Sequence, residues 1–519
     1  MALLQVVIFL LLCSVALGWI ARRAGLPYPI ALVIGGAALG FVPELPQLAF
    51  DPQFLLVLVL PPILYQAALL TSWRDFKANL RPIGLLAIGL VIVTTLAIGV
   101  ALKLLIPDIP WAAAFVLGAI VSPPDAVAAT TILSKLTIPR RVVTILEGES
   151  LVNDASGLVL YKFAVAAVLT GAFSLLDAGV QFAAVSLGGV AVGVLMGWVF
   201  IAIHRHLGDA VTEVLLSLAA PYVAYILAES LHVSGVLAVV AAGLVRGRYA
   251  PEIVSAEMRI LARSVWNIFV FLLNSLIFML IGMQLSNIIG RLKGFSVGEL
   301  FLYGFVVSLV AIVVRFLWVY PAIYIPRWLS ARLRRNDPLP QQSHIFIVSW
   351  CGMRGIVSLA AALALPVQIN DGSAFPYRDL IIFLTFVIIF VTLVLQGLTL
   401  APLIRRLKVG SDWSAHEEQQ CARRAMGKAA LAAIDKLAAE EGAPHEVAER
   451  IRAEFAERIS LEIGRGLVLP YAAASNQRLR FAAIKAQRNE LIKVWRENQI
   501  SDDVMHHLEE ELDYQESRL

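Results

Sequence analysis

Up to Lys408 the chain is a succession of long apolar runs separated by short polar or charged stretches. Crossing the hydrocarbon of a bilayer as a helix takes about 20 residues. Thirteen runs are of that order, at 3–20, 27–41, 53–70, 82–105, 111–134, 143–169, 178–203, 211–230, 233–246, 264–289, 297–326, 344–366 and 379–404. Several are short or carry Pro and Gly in mid-run. Beyond Lys408 the pattern changes to a charged, Ala-rich, helix-prone stretch without a span. The expected fold is an all-α polytopic membrane protein, with residues 1–408 in the membrane and 409–519 forming a cytoplasmic helical domain. Within that domain 475–498 is basic and 502–513 acidic; two readings stay open, a solvated helical tail, or a regulatory or dimer-supporting domain whose basic face meets anionic lipid.

Composition narrows the class. The sequence is 59% hydrophobic and 15% charged, against about 25% charged in a soluble domain, so a water-soluble fold of this length is excluded. Cys13, Cys351 and Cys421 are far apart and make neither a metal-ligand spacing nor a disulfide framework. Residues 3–20 lack a preceding charged region and are followed by Arg22 and Arg23, which suits a retained first span rather than a cleaved leader. With the N-terminus outside, the inner loops hold twenty Arg and Lys and the outer ones four (Lys103, Arg291, Lys293, Arg378). That bias follows the positive-inside rule and puts the C-terminus in the cytoplasm.

Ionisable groups in mid-membrane are costly and mark function by default. The chain places Asp125, Glu149, Asp154, Lys162, Arg315 and Arg354 there, with Glu213 nearer a span end. Asp125 follows Pro123 and Pro124, which remove two backbone donors and open the helix; the Asp can cap the half-helix that follows. At 100° per residue, Ser150, Asn153, Asp154, Gly157 and Tyr161 share about one-third of the next helix, a polar stripe that begins to supply the oxygens and negative charge a dehydrated alkali cation requires. Gly352 and Gly355 flank Arg354 and weaken the twelfth span. A buried guanidinium needs a carboxylate, and Glu149, off the main stripe, is the expected partner of Arg354. Two interrupted helices, one in each half of the chain, point to an inverted-repeat transporter with a midplane site. Lys162 is expected to reach toward the outer interface. For Arg315 a carboxylate partner and a lipid headgroup both stay open.

At these residues the sequence resembles the sodium/proton exchangers, the branch with bacterial NhaP-type antiporters and the animal exchangers. The likeness runs in order through LLVLVLPPILYQA, SPPDAVAA, EGESLVNDASG, GMRGIVSLAAALALP and LQGLTLAPL, with RNELI and LEEEL in the tail. It implies an NhaA-like fold, a homodimer, and a core of six helices that moves like an elevator. It implies further that Asp154 with Asn153 and Ser150 binds the cation or proton, that Asp125 belongs to the first broken helix, and that Glu149 pairs with Arg354. Two positions depart from the family pattern. Pro124 replaces a frequent Thr, keeping the carbonyl but losing a hydroxyl, and Gln66 replaces a frequent acidic residue.

The resulting expectation is a plasma-membrane antiporter of Na+, or of Li+ or K+, against H+, with both ions competing for Asp154 and electroneutral exchange serving pH and sodium homeostasis. Its partners are then monovalent cations, protons, lipids and a second copy of itself, with no nucleic acid. No GxxxxGK[ST] motif occurs, so no cofactor is expected and an ion gradient supplies the energy. Competing classes fare worse. A protease dyad of Asp125 and Asp154 lacks the GxGD motif, a hydrolase on Ser150 lacks its second elbow glycine because position 152 is Val, and a cation channel or sensor is separated only by transport kinetics.

Overall fold

The computed structural model describes residues 2–24, 27–42, 52–133, 138–171, 175–254, 256–292, 294–370 and 372–407, with a few isolated positions and two short helical pieces, 429–436 and 449–453. The chain forms two compact units, Met1–Ser411 and Asp412–Leu519. In the second, Arg452 pairs with Asp435 at 3.3 Å and Glu449 at 3.6 Å, exposed contacts of the kind that contribute little. The basic stretch 475–498, apart from Gln487, and the acidic stretch 502–513 lie outside the described residues.

The described part of the first unit is helical, with one isolated bridge between Gln368 and Ala374 and no strand. Among the described residues, seven helices are long and apolar enough to cross a membrane: Leu80–Leu105, Arg140–Thr170, Gly179–His204, Ala210–Ser230, Met258–Gly290, Val297–Leu329 and Arg378–Arg406. The other apolar runs also fall on helices. Four are single, Ala2–Ala24, Tyr28–Gly40, Pro52–Leu70 and Gly235–Ile253. Two are broken, Trp111–Val121 with Ala126–Leu133 and Gln342–Trp350 with Ile356–Leu363.

The distribution of side chains inverts that of a soluble protein. Leu104, Leu187, Phe301 and Leu317 are exposed on helix faces, while Asn153, Ser349, Thr385, Thr392 and Gln396 are fully buried. Hydrocarbon tolerates the first set; in the second, the hydroxyls of Ser349, Thr385 and Thr392 donate to carbonyls one turn back in their own helices. The Arg140–Thr170 helix stands among both halves of each broken helix and the Leu80–Leu105 helix. It is therefore the element on which a central site can be built.

Among the described residues, two helices contain a widened π turn, at Leu85–Leu90 and at Thr392–Gln396. Such turns free carbonyls for other donors. In the first, the Trp318 indole N–H donates to the Leu85 carbonyl at 2.9 Å, and the Ser156 hydroxyl donates to that of Ala87.

Candidate functional site

The site grows from what the two breaks leave unsatisfied. Pro123 and Pro124 cannot donate to the carbonyls of Ala119 and Ile120; the Ser122 hydroxyl takes that of Ala119 at 3.0 Å. The Val121 carbonyl would receive the Asp125 N–H in a continuous helix. Instead Asp125 N–H crosses to the Met353 carbonyl at 2.7 Å, and Arg354 Nε–H crosses back to the Val121 carbonyl at 2.9 Å. The two breaks thus complete each other's hydrogen bonding. Arg354 also donates from Nη1 to the Gly352 carbonyl and from its backbone N–H to Thr392 Oγ1 at 3.1 Å.

Asp125 serves both second halves. Its Oδ1 accepts the Val127 N–H at 2.8 Å, and its carboxylate also accepts from Ile356 N–H, at the start of the other half-helix. A carboxylate suits two helix N-termini because their free donors and dipoles carry partial positive charge. The crossing closes this tightly because of two glycines. A Cβ at Gly355 would overlap the Asp125 carboxylate, and one at Gly157 would sit 2.9 Å from Pro123 Cγ.

Asp154 lies on the Arg140–Thr170 helix, 6% exposed, and near enough to Asp125 for the two charges to repel. Among the described residues it forms no hydrogen bond and no ion pair. Beside it the Asn153 amide donates from Nδ2 to the Pro124 carbonyl at 2.9 Å, so that carbonyl is engaged, and buried Asn153 Oδ1 has no partner. Ser150, half-buried, stands one turn before Asp154. Gln66 is half-buried on the Pro52–Leu70 helix and makes no hydrogen bond to the cluster among the described residues. The donor set at Asp154 and Asn153 is all oxygen, which suits a hard monovalent cation as cargo. No group of three His, Cys, Asp or Glu side chains able to hold a metal occurs among the described residues.

The expected pairing of Glu149 with Arg354 is corrected. Glu149 is held by Arg315, Nη1 to Oε1 at 2.5 Å and Nη2 to Oε2 at 2.7 Å, with the side chains 1% and 0% exposed. Arg315 Nε–H donates to the Val348 carbonyl at 3.0 Å. The planar fork of Arg315 matches both carboxylate oxygens, whereas Arg354 is satisfied by carbonyls that the helix breaks set free. Of the other mid-membrane charges, Lys162 is exposed and pairs with Glu229 at 3.3 Å. Ser156 and Thr392 join the network without having stood out in the sequence. Ser156 lies next to the polar stripe, and Thr392 carries no local motif beyond the π turn it begins.

Comparison with known proteins agrees with this architecture. The model of the family described as sodium/hydrogen exchanger, transmembrane, matches residues 7–406. An uncharacterised Na+/H+ exchanger of Mycobacterium tuberculosis is 33% identical over 99% of this chain and 96% of its own. The "Sodium, potassium, lithium and rubidium/H(+) antiporter" of Bacillus subtilis is 32% identical over 97% of this chain and 76% of its own. The sodium proton antiporter MjNhaP1 from Methanocaldococcus jannaschii, solved at pH 8, superimposes with a TM-score of 0.62 over 78% of this chain and 99% of its own, at 19% identity. With the family model spanning the whole helical unit that holds the two crossed breaks, the chain belongs to the sodium/hydrogen exchanger family, a family of secondary transporters.

Proposed function

We propose that this protein exchanges sodium for protons across the plasma membrane, with cation and proton competing for the Asp154 carboxylate. One observation carries the reading: Asp154 is a buried carboxylate without a counter-charge or hydrogen-bond donor among the described residues, next to the orphaned Asn153 Oδ1. An uncompensated charge in such a place is costly unless a proton or a cation joins it. Asp125 and Ser150 stand beside this pair, and Gln66 serves at most the approach to it.

Charge accounting favours electroneutral exchange. Glu149 is committed to Arg315, and Lys162 sits exposed on Glu229, which leaves Asp154 as the group that switches partners. Either one proton or one cation then crosses with it. Family membership supports a homodimer with an elevator-like core, and the concentration of Arg and Lys in alternate loops supports an outer N-terminus and a cytoplasmic C-terminus. Thirteen crossings, surrounding lipid and a role in pH and sodium homeostasis complete the reading.

The test is proton flux in proteoliposomes carrying a pH-sensitive dye. Wild-type protein responds to added sodium, and Asp154→Asn falls to the level of empty vesicles; retained exchange would end the assignment. A second reading, potassium as a further cargo, is favoured by the name of the Bacillus subtilis relative. The same assay run with sodium, lithium, potassium and rubidium separates the two.

A further inference from the structure

Away from the crossing, three arginines converge on one carboxylate. Asp337 accepts from Arg81 Nη2, Arg141 Nη2 and Arg327 Nη2, each at 2.8 Å. Arg327 also donates from Nε to the Asp337 carbonyl at 3.0 Å, and Arg141 from Nε to Asn79 Oδ1 at 3.1 Å. Three guanidiniums and one carboxylate leave two positive charges uncompensated within the cluster. Arg81 shows the surplus directly, since its Nε and Nη1 are buried and have no hydrogen-bond partner.

These arginines line one side of a cavity of about 60 Å³. Its other walls are mostly apolar, with Ile145, Val319, Ala322 and Val348 among them, and His344 is the one further polar side chain in the lining. The space admits roughly four or five water-sized groups, but an apolar slot of this kind holds water poorly and methylene groups well. The slot also reaches the buried ion pair. Ile145 is one turn before Glu149, Val319 one turn after Arg315, and the Val348 carbonyl accepts from Arg315 Nε–H.

We propose that this cavity binds an anionic membrane phospholipid, its phosphate on Arg81 and Arg141 and part of an acyl chain in the apolar slot. Guanidinium forks match phosphate oxygens in pairs, and a basic pocket between membrane helices is the kind of place where anionic headgroups settle. The slot's apolar walls select an amphiphile over a free anion. The helices it joins, Leu80–Leu105, Arg140–Thr170 and Val297–Leu329, carry respectively the acceptor for Ser156, Glu149 with Asp154, and Arg315. Bound lipid therefore braces the support of the central site.

The test uses the full chain, delipidated in mild detergent, with phosphatidylglycerol, phosphatidylcholine or inorganic phosphate added separately. Thermal midpoint and native mass spectrometry are the readouts. Phosphatidylglycerol raises the midpoint and binds with about a thirtyfold preference over phosphatidylcholine, as expected for two uncompensated charges. Arg81→Gln, which removes one of the two charges, cuts the preference to about fivefold, and Ala322→Phe, which fills the slot without touching a charge, removes the bound lipid. Should Arg81→Gln fail to fold, Ala322→Phe decides. Equal response to both lipids, a phosphatidylglycerol effect that survives Ala322→Phe, or the same shift from inorganic phosphate alone overturns the proposal.

Discussion

Glu149 and Asp154 sit five residues apart on one helix, both carboxylates and both buried, at 1% and 6% exposure. Their surroundings are opposite. Glu149 receives two N–H groups from Arg315; Asp154 receives none from any described residue and faces the negative charge of Asp125. The first is a fastening, because separating it would strand two charges in low dielectric. The second, in the proposed function, is the group that a mobile ion satisfies. One helix thus carries a paired carboxylate and one without a partner among the described residues, and the arginine makes the difference.

The sharpest way to break the comparison is to neutralise each acid in turn. Asp154→Asn abolishes sodium-dependent proton flux yet leaves the thermal midpoint in detergent unchanged or higher, since it deletes an uncompensated buried charge. Glu149→Gln does the reverse in kind. It strands Arg315 and destabilises the fold by about 3–5 kcal/mol, seen as a lowered midpoint, while Glu149→Leu combined with Arg315→Met recovers much of that loss. A midpoint that falls equally for Asp154→Asn and Glu149→Gln would erase the distinction. Smaller is the effect of Gly157→Ala, whose new methyl must push the Pro123 ring away. About 1–3 kcal/mol of stability is lost there, with flux falling more than stability because the broken helix shifts against Asp154.

The smallest effect concerns pH. Burial works against the Asp337 carboxylate, but hydrogen bonds and charge from Arg141, with the charge and hydrogen bond of Arg327, outweigh it and hold the carboxyl below its ordinary range. A lowered folded-state value means that the stabilisation is fully present above the unfolded value, about 3.9, and is lost as pH falls through the folded one. Asp337→Asn therefore lowers the midpoint between pH 5 and 9 by an amount that does not vary across that window, and the difference from wild type closes only in more acidic buffer.

The helices were legible because apolar runs of bilayer length have few alternatives, and both interruptions were legible because Pro123-Pro124 and Gly352 with Gly355 undermine a helix locally. The polar stripe around Asp154 followed from helical periodicity. The partner of Glu149 did not. Arg315 and Arg354 are both fully buried, and which one meets a carboxylate 166 positions away in the chain depends on where the broken helices leave free carbonyls. Spacing carries no trace of that. The π turns were equally silent, since LLAIGL at Leu85–Leu90 reads as ordinary apolar helix, and so was the Asp337 cluster, whose members come from four separated stretches.

The cross-exchange of hydrogen bonds between the breaks has a consequence for biosynthesis. The Val121 carbonyl and its Arg354 donor are 233 residues apart, so the ribosome must deliver more than half of the remaining chain before the first interruption acquires its permanent partner. Until then an open stretch of peptide sits at a depth where lipid offers it nothing to bond. The nascent protein must shelter that stretch in the insertion machinery or in trapped water, and a chain truncated before the second interruption should be recognised by quality control as unfinished.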